Sequence, residues 1–361
     1  MKSHVKIIPM IQPHNVYIHV PYCMSKCNYC AFFSVARTAP DWDTYADGII
    51  SEIDEFADLI GPAPVPTIFF GGGTPSLMPV ATFAKIMAHI NSRFHIEPNA
   101  EITIESNPGT IDDKKLDEFI AAGMNRLSVG VQALDDMRLR FLGRRHDAAT
   151  AVKLLRRASS RNIRVSGDFI YGLPGDTTEY VADLCAQIND LGLKHCSMYE
   201  LTIEPGTPLA QMHPEMPSNE EMAEMYDAIG RKLNLPRYEV SNYAAPGDEC
   251  WHNQNVWDGE PYVGFGRGAA GRVFIDGDWY EQMGGGIKFE KMAPRDRAVE
   301  KIITGMRTMR GVKMTPDVAA VINNEFARTA RDMITFTPDG RMHATQRGLL
   351  ILDDLLVQLI R

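Results

Sequence analysis

Residues 16–34 read VYIHVPYCMSKCNYCAFFS, a strand-like apolar run followed at once by three cysteines at C-x3-C-x2-C spacing. Three thiolates on one short loop can each bind a different iron of a [4Fe–4S] cluster. The fourth iron then has no protein ligand and stays open to a small chelating molecule. The spacing therefore predicts an open cluster held by Cys23, Cys27 and Cys30.

A zinc site and chance clustering account less well for the three cysteines. A zinc site could add His19 to them, but structural zinc sites more often combine a C-x2-C pair with a second, distant pair. Chance clustering of structural cysteines fits poorly with a loop that also carries Lys26 and Asn28. The other cysteines are scattered, and Cys185 and Cys196 are expected to be small core residues.

Short β-rich runs alternate with amphipathic helices from residue 16 to about residue 205, and Asp112 and Asp147 are expected to cap two of the helices. Six βα units in series predict an α/β fold with a parallel sheet and right-handed crossovers. Eight units would close a TIM barrel, so six favour a partial (β/α)6 TIM-like barrel, with a doubly wound sheet as the alternative. Unusual polar residues follow the strands, where barrels build their active sites, and this favours the barrel. The predicted strands are 16–20, 67–71, 101–106, 126–132, 164–172 and 195–203.

The sequence changes character near residue 235, where Gly, aromatic and amide residues become frequent. This change predicts a core domain at 1–235 and a smaller α+β domain at 236–361. In the second domain, helices are expected at 296–309 and 346–360. A short strand pair is expected between these helices, at 333–336 and 342–345.

The chain has 361 residues and a net charge of −9, and it lacks the run of about 20 apolar residues that a membrane span needs. Its N-terminal apolar stretch is interrupted by Pro9, Pro13 and His14, which argues against a signal peptide and predicts a cytoplasmic protein. The acidic charge argues against a nucleic-acid partner, because such a partner needs a basic face. The arginines between residues 156 and 164 are expected to lie on a solvated helix surface.

Several segments that follow the predicted strands contain candidate ligand-binding residues. GGGTPS at 71–76 follows the apolar strand TIFF, and its glycines would let the backbone come close to a ligand. Glu105 ends the third strand, in a position to accept from ribose hydroxyls, and Gln132 ends the fourth. Asp168 lies inside the apolar run RVSGDFIYGLP, where a carboxylate is costly unless it is paired, so it is a site candidate. A structural salt bridge is the alternative for Asp168 and for Arg144.

Together these segments resemble the oxygen-independent coproporphyrinogen III oxidase superfamily of radical S-adenosylmethionine (SAM) proteins. The resemblance covers nearly the whole chain and rests on YIHVPYCMSKCNYC, FFGGGTPS, TIESNPGTI, RLSVGVQALDD, LGRRHD, DFIYGLPGDT and YELTIEPGTPL. It implies a [4Fe–4S] cluster whose open iron chelates SAM, and a 5′-deoxyadenosyl radical when reduction splits the sulfonium. It also implies that the three cysteines ligate the cluster and that SAM is surrounded by Tyr17, Tyr29 (main chain), Gly72, Gly73, Thr74, Glu105, Gln132, Arg144 and Asp168.

Within this superfamily, the chain departs from the decarboxylating oxidase. The oxidase carries a fourth cysteine two residues after the third, where this chain has Phe32, and a longer extension before the first strand. Both departures resemble a branch regarded as haem chaperones, which bind haem and pass it to respiratory proteins. That branch carries an H-N-x-x-Y-W signature, which His252, Asn253 and Trp257 match and in which Val256 replaces the tyrosine.

His252 could offer an imidazole nitrogen to haem iron, and Trp251 and Trp257 could pack on a porphyrin face. The alternative is a hydrogen-bonded histidine that closes the mouth of the barrel. Cys250 could be a second contact to the iron, although a buried structural thiol is the simpler interpretation.

The sequence therefore favours a haem chaperone on a radical SAM scaffold, with haem as cargo and haemoproteins, including ones at the membrane, as acceptors. The alternative is an enzyme that converts coproporphyrinogen III to protoporphyrinogen IX by radical decarboxylation. Radical SAM modification of RNA is a third hypothesis, which the acidic charge disfavours. The chain is expected to be a monomer or a homodimer.

Overall fold

The computed structural model of the protein describes residues 12–361. Residues 1–11 lie outside the described residues. The prediction about a signal peptide and the start of the predicted core domain fall on this segment. The first part of the chain contains β1 (Asn15–Val20), β2 (Tyr22–Cys23), β3 (Val35–Ala36), α1 (Trp42–Ile60), β4 (Pro64–Gly72), a 3-10 turn (Pro75–Leu77), α2 (Val80–Arg93), β5 (His95–Ser106), α3 (Asp113–Ala121), β6 (Arg126–Gln132), α4 (Asp136–Phe141), α5 (Ala148–Ser159), β7 (Arg164–Tyr171), α6 (Thr178–Asp190), β8 (His195–Glu200), α7 (Pro208–Met212) and α8 (Asn219–Lys232).

The second part of the chain has shorter elements. They are β9 (Asn242–Ala244), α9 (Trp251–Trp257), β10 (Tyr262–Phe265), β11 (Gly271–Ile275), β12 (Asp278–Gln282), β13 (Phe289–Lys291), α10 (Pro294–Gly305), β14 (Val312–Lys313), α11 (Pro316–Val321), α12 (Asn324–Thr329), β15 (Ile334–Phe336), β16 (Arg341–Ala344), α13 (Gln346–Leu349) and α14 (Leu352–Leu359).

An 11-stranded sheet forms the centre of the described chain, in the order β13-β12-β11-β10-β1-β4-β5-β6-β7-β8-β9. The six strands expected from the βα repeat, β1 and β4 to β8, are neighbours and all run parallel. This confirms the predicted α/β fold with a parallel sheet. The six strands also follow one another in a single direction, whereas a doubly wound sheet reverses its strand order. Within residues 12–361 the sheet has two edges, β13 and β9, so it is open, as a partial barrel is.

The helices beside the sheet begin at the expected capping residues. The side chain of Asp112 accepts a hydrogen bond from the backbone N–H of Lys115 at the start of α3. Asp147 accepts from the N–H of Thr150 at the start of α5 in the same way. Each cap satisfies a backbone donor that has no partner inside the helix, so the local sequence decides where these helices begin.

The second part of the chain contributes to two cores. Strands β9 to β13 extend the central sheet, so this sheet has strands from both sides of residue 235. A separate apolar core contains residues from Ala298 to Leu359, and the antiparallel sheet β14-β16-β15 lies in the same region. The division at residue 235 stays a prediction. Among the described residues, no helix is both long enough and apolar enough to cross a membrane.

The glycine-rich turn after β4 packs directly against the backbone that follows β1. The N–H of Gly73 donates to the carbonyl of Val20, and the N–H of Thr74 donates to the carbonyl of Tyr22, both at 2.8 Å. A Cβ atom on Gly73 would lie 2.7 Å from the Tyr22 carbonyl oxygen and 2.9 Å from that of Val20. Glycine is therefore required here because the neighbouring backbone leaves no room for a side chain.

Gly73→Ala should destabilise the protein by about 1–3 kcal/mol, because the added methyl group would push two hydrogen-bonded segments apart. Urea unfolding of the wild type and the variant measures this difference. Gly48→Ala is the matched control, since a Cβ atom on Gly48 in α1 would have no neighbouring atom within 4 Å. The control should gain about 0.5–1 kcal/mol from the higher helix propensity of alanine. Equal stability of Gly73→Ala and the wild type would contradict the steric argument.

Candidate functional site

A cavity of about 820 Å³ runs along the parallel strands, from Arg126 and His195 at the start of β6 and β8 to Gln132 and Glu200 at their carboxyl ends. The carboxyl ends are where barrels of this kind hold their ligands. Every residue proposed from the sequence as a cluster or SAM contact lines this one cavity together with His252. These residues are Tyr17, Cys23, Cys27, Tyr29, Cys30, Gly72, Gly73, Thr74, Glu105, Gln132, Arg144, Asp168 and His252.

The three cysteines are half-buried on the loop that β2 begins. The hydroxyl of Thr74 donates to the Cys23 sulfur at 3.6 Å, and Nη1 of Arg144 donates to the Cys27 sulfur at 3.3 Å. Burial raises the pKa of the Cys30 thiol, and the two neighbouring thiols add to this rise. A guanidinium and a hydroxyl thus donate directly to two of the sulfurs that would bind iron.

His19 is not placed as a fourth ligand for a zinc ion. Its Nδ1 lies 3.0 Å from the Tyr17 hydroxyl, and its Nε2 lies 2.8 Å from the carbonyl oxygen of Phe33. In the part of the chain that the structure describes, no group of three or more His, Cys, Asp or Glu side chains is arranged to hold a metal ion. A cubane requires each thiolate to bind a different iron, whereas one zinc ion requires the three thiolates to converge with a fourth ligand.

The glycine-rich turn and the ends of β5 and β6 form the wall beside the cysteines. The N–H of Gly72 donates to Oε2 of Glu105 at 3.1 Å, which ties the turn to the end of β5. Gln132 ends β6 at a bulge and has a φ of 70°, a left-handed conformation that non-glycine residues rarely adopt. Such local strain is concentrated at functional sites.

Arg144 reaches across this wall without forming an ion pair among residues 12–361. Its Nη2 donates to the carbonyl oxygen of Gly130 at 2.7 Å and also to Oδ1 of Asn107. Asn107 in turn donates to the Thr74 hydroxyl at 3.0 Å. Asn107 was not a sequence candidate, although it lies in the segment ESNPGT that follows the third strand. The structural salt bridge considered for Arg144 is replaced by contacts to a thiol, an amide and a carbonyl.

Two carboxyl groups lie deep in the cavity without a cationic partner in hydrogen-bond range among the described residues. Asp168 accepts from the hydroxyls of Ser128 at 2.6 Å, Ser197 at 2.7 Å and Ser166 at 3.0 Å, so hydroxyls take the place of the salt bridge considered for it. Burial nevertheless raises the pKa of Asp168, and these hydrogen bonds offset only part of the rise. Burial, followed by repulsion from Asp168, raises the pKa of Glu105 to about 8.

His252 lies in the first turn of α9 and is buried, with its ring 5.1 Å from that of Phe69. Its Nδ1 lies 2.7 Å from the hydroxyl oxygen of Thr67. Burial lowers the pKa of His252 to about 3, so the imidazole is neutral at physiological pH. The histidine is therefore both hydrogen-bonded and part of the cavity wall. It combines features of the two interpretations given from the sequence, a haem ligand and a hydrogen-bonded histidine that closes the barrel.

The residues around His252 differ in how they meet the cavity. Trp257 and Val256 line it, whereas Trp251 packs beneath the guanidinium of Arg164 at 4.4 Å. Cys250 also contributes to the wall but is a buried thiol, 3.5 Å from Oε1 of Glu101, and burial raises its pKa to about 12.

Glu101 was missed in the sequence and organises this part of the site. It is fully buried on β5, and its carboxylate accepts from the N–H groups of Trp251 at 3.1 Å and His252 at 2.9 Å. Nη1 of Arg164 lies 3.1 Å from it, so this arginine is not on the solvated surface expected from the sequence. A sequence feature could have identified Glu101 as a site residue, since it is a carboxylate in an apolar strand, as Asp168 is.

Comparisons with known proteins concern the family and the fold of the chain. The sequence pattern of the Radical SAM superfamily matches residues 17–188. The chain is similar to the haem chaperone HemW of Escherichia coli (35% identical, covering 74% of this chain and 72% of the relative). It is also similar to HemW of Synechocystis (34%, covering 84% and 80%). Among solved structures, coproporphyrinogen III oxidase (HemN) from Escherichia coli superposes with a TM-score of 0.79 at 22% identity, over 96% of this chain and 90% of that chain, a likeness that shows the fold.

Replacing Cys23, Cys27 or Cys30 by alanine should remove most of the iron and sulfide that the protein holds after anaerobic reconstitution. A [4Fe–4S] cluster needs each of the three thiolates, and the wild type should hold about four irons and four sulfides per chain. Iron and sulfide assays with the visible absorption spectrum measure this loss. Cys185→Ala is the control, since Cys185 is buried in α6 away from the loop. Full iron content in any loop variant would contradict the assignment of that ligand.

Glu105 should make the metal-free protein less stable as the pH rises. Its pKa is about 8 in the folded chain against 4.5 for an ordinary glutamate, so the folded state holds this proton more tightly. The stability from this group is complete below pH 4.5 and is lost as the pH rises to about 8.

Glu105→Gln keeps a neutral acceptor for the N–H of Gly72. Its free energy of unfolding should therefore exceed that of the wild type by a margin that grows from pH 4.5 to about pH 8. At the upper end of this range the margin should be on the order of a few kcal/mol. Urea unfolding across the range measures the margin, with the exposed Glu118→Gln as control. A margin that does not change with pH would show that Glu105 is ionised throughout.

Proposed function

The chain belongs to the haem chaperone HemW family of the radical SAM superfamily, and from this membership we propose that it binds haem and delivers it to haemoproteins. The observation that carries the proposal is the neutral imidazole of His252 on the wall of a cavity that also contains the three cysteines. A neutral imidazole is the form that ligates iron.

Membership of the radical SAM superfamily implies a [4Fe–4S] cluster and SAM. Bound to each other, the two supply a carbon-centred radical when the cluster is reduced. Cys23, Cys27 and Cys30 would hold the cluster, with Arg144 stabilising the thiolate of Cys27. The remaining proposed SAM contacts would position its ribose and amino acid parts.

Glu105 and Asp168 suit a ligand that brings hydroxyl or ammonium donors. Both carboxyl groups are desolvated, and burial raises the pKa of each. A donor from the ligand would compensate part of that desolvation, so binding and ionisation should favour each other.

The cavity offers apolar walls to a porphyrin plane. Phe69 and Trp257 lie near His252, and Ile170 contributes from β7. Phe32 stands at the rim with 72% of its surface exposed, at the position where the decarboxylating oxidases carry a fourth cysteine. A free apolar ring at the rim is better suited to packing on a porphyrin than to holding metal.

The alternative function, SAM-dependent decarboxylation of coproporphyrinogen III, has the fold likeness to HemN in its favour. That likeness at 22% identity concerns the fold alone. Phe32 and the family membership favour the chaperone. The acceptor haemoproteins, including ones at the membrane, the cytoplasmic location and the oligomeric state stay predictions.

Titration of the reconstituted protein with haem should give a saturable change in the haem spectrum, and His252→Ala should weaken binding by at least about tenfold, or 1.4 kcal/mol. His343→Ala, a partly exposed histidine on β16, is the matched control and should bind as the wild type does.

A wild type that binds no haem would overturn the chaperone proposal. A folded His252→Ala variant with unchanged affinity would overturn the site assignment. The same sample, incubated anaerobically with reductant, SAM and coproporphyrinogen III, should form no protoporphyrinogen IX. Formation of that product would support the alternative function.

A further inference from the structure

A chain of buried hydrogen bonds leads from β1 to His252, and its first member is Asn15. The carboxamide of Asn15 is 1% exposed, and its side-chain nitrogen lies 2.9 Å from the carbonyl oxygen of Pro261. A backbone carbonyl can only accept, so the Asn15 nitrogen donates there. Its oxygen Oδ1 must therefore face the opposite way, where it lies 2.8 Å from both the Thr67 hydroxyl and Nδ2 of Asn255.

The Thr67 hydroxyl is the second member and has a single proton to donate. Because Oδ1 of Asn15 can only accept, the 2.8 Å contact requires that Thr67 donates its proton there. Thr67 can then only accept from Nδ1 of His252, at 2.7 Å. The reverse arrangement would leave two oxygen lone pairs facing each other in a buried site, which is unfavourable.

These directions decide which ring nitrogen of His252 carries the proton. Nδ1 must carry a proton, which in a neutral imidazole leaves the lone pair on Nε2. Among residues 12–361, Nε2 has no hydrogen-bond partner and is not one of the buried unpaired atoms, which leaves it open to the cavity that His252 lines. Glu101 holds the backbone of the same residue through its N–H group at 2.9 Å.

We propose that Thr67, oriented by Asn15, is a positioning residue that fixes the His252 tautomer so that Nε2 is presented as a free base to haem iron. The proposal rests on the proposed haem-binding function and concerns how that site is prepared. A hydrogen bond to the second nitrogen of a metal-binding histidine fixes its ring orientation and raises its basicity, and loss of such a partner typically weakens metal binding roughly 10- to 100-fold.

The tautomer can be measured directly in the haem-free protein. Nitrogen-15 chemical shifts of labelled histidine distinguish a protonated ring nitrogen from an unprotonated one, and His252→Ala assigns the signal. In the wild type, Nδ1 of His252 should be protonated and Nε2 unprotonated. A protonated Nε2 would overturn the proposal, and this measurement is made on the wild-type chain, with His252→Ala used only to assign the signal.

Three variants test the role of the hydroxyl. Thr67→Val removes the acceptor while keeping the shape, and it should shift the tautomer and weaken haem binding roughly 10- to 100-fold. Thr67→Ser should restore both. Thr103→Val is the matched control, because Thr103 is equally buried on the neighbouring strand β5 and its hydroxyl has no partner among the described residues. The control should leave the His252 signal and the affinity unchanged.

Asn15→Ala tests the orientation of the Thr67 hydroxyl separately from its presence, because it leaves Thr67 and His252 in place. Without the Asn15 oxygen, the Thr67 hydroxyl is free to donate to Nδ1, so the proton should move to Nε2 and haem binding should weaken. Unchanged nitrogen-15 shifts in both Thr67→Val and Asn15→Ala would overturn the inference.

The outcomes for the inference and for the proposed function are distinct. A wild type that binds no haem removes the proposed function, whereas the tautomer measurement still stands as a test of the hydrogen-bond chain. A wild type that binds haem through His252 but shows equal affinity and equal iron–histidine stretching frequency in Thr67→Val retains the function and removes the positioning role.

Discussion

The close approach between the glycine-rich turn and the backbone after β1 is the constraint on which the site depends. Two backbone hydrogen bonds join Gly73 and Thr74 to this segment, and no side chain fits between them. The cysteine loop leaves β1 at the same point, so its position relative to the turn is set by backbone contacts. The contacts then continue from Thr74 through Asn107 to Arg144, which reaches the sulfur of Cys27. The thiols are thus held from several strand ends at once.

Much of the first part of the fold could be predicted because its signals are local. Strand β6 has the bounds expected from the sequence, 126–132, and the caps at Asp112 and Asp147 are confirmed. The glycines were assigned to close approach of a ligand, but Gly73 is required by its own neighbouring backbone. Two of the three serine partners of Asp168 could not be predicted, since Ser128 and Ser197 lie on β6 and β8 and only the sheet register brings them to Asp168 on β7.

The second part of the chain was harder to predict because its order comes from distant contacts. Strand β10 pairs in parallel with β1, whose residues lie 247 positions earlier in the chain, and no local periodicity predicts that pairing. The environment of His252 has the same origin, since Thr67 and Glu101 come from β4 and β5 and meet α9 only in the fold. A sequence motif could nominate His252, but it could not give the tautomer, because the donors and acceptors that decide it are remote in the chain.

Glu101, Glu105 and Asp168, in and beside the cavity, differ in how the desolvation of their carboxyl groups is compensated, and this difference separates structural from ligand-binding roles. Glu101 receives two backbone N–H groups and the guanidinium of Arg164, so its charge is satisfied without a ligand. Glu105 and Asp168 have no such cation within hydrogen-bond range in the described chain, and burial raises the pKa of both. A carboxyl group left under-compensated beside a cavity gains most from a donor that a ligand supplies. Glu101 therefore holds the start of α9 and the backbone of His252 in place, and we propose Glu105 and Asp168 as the groups that would meet a bound ligand.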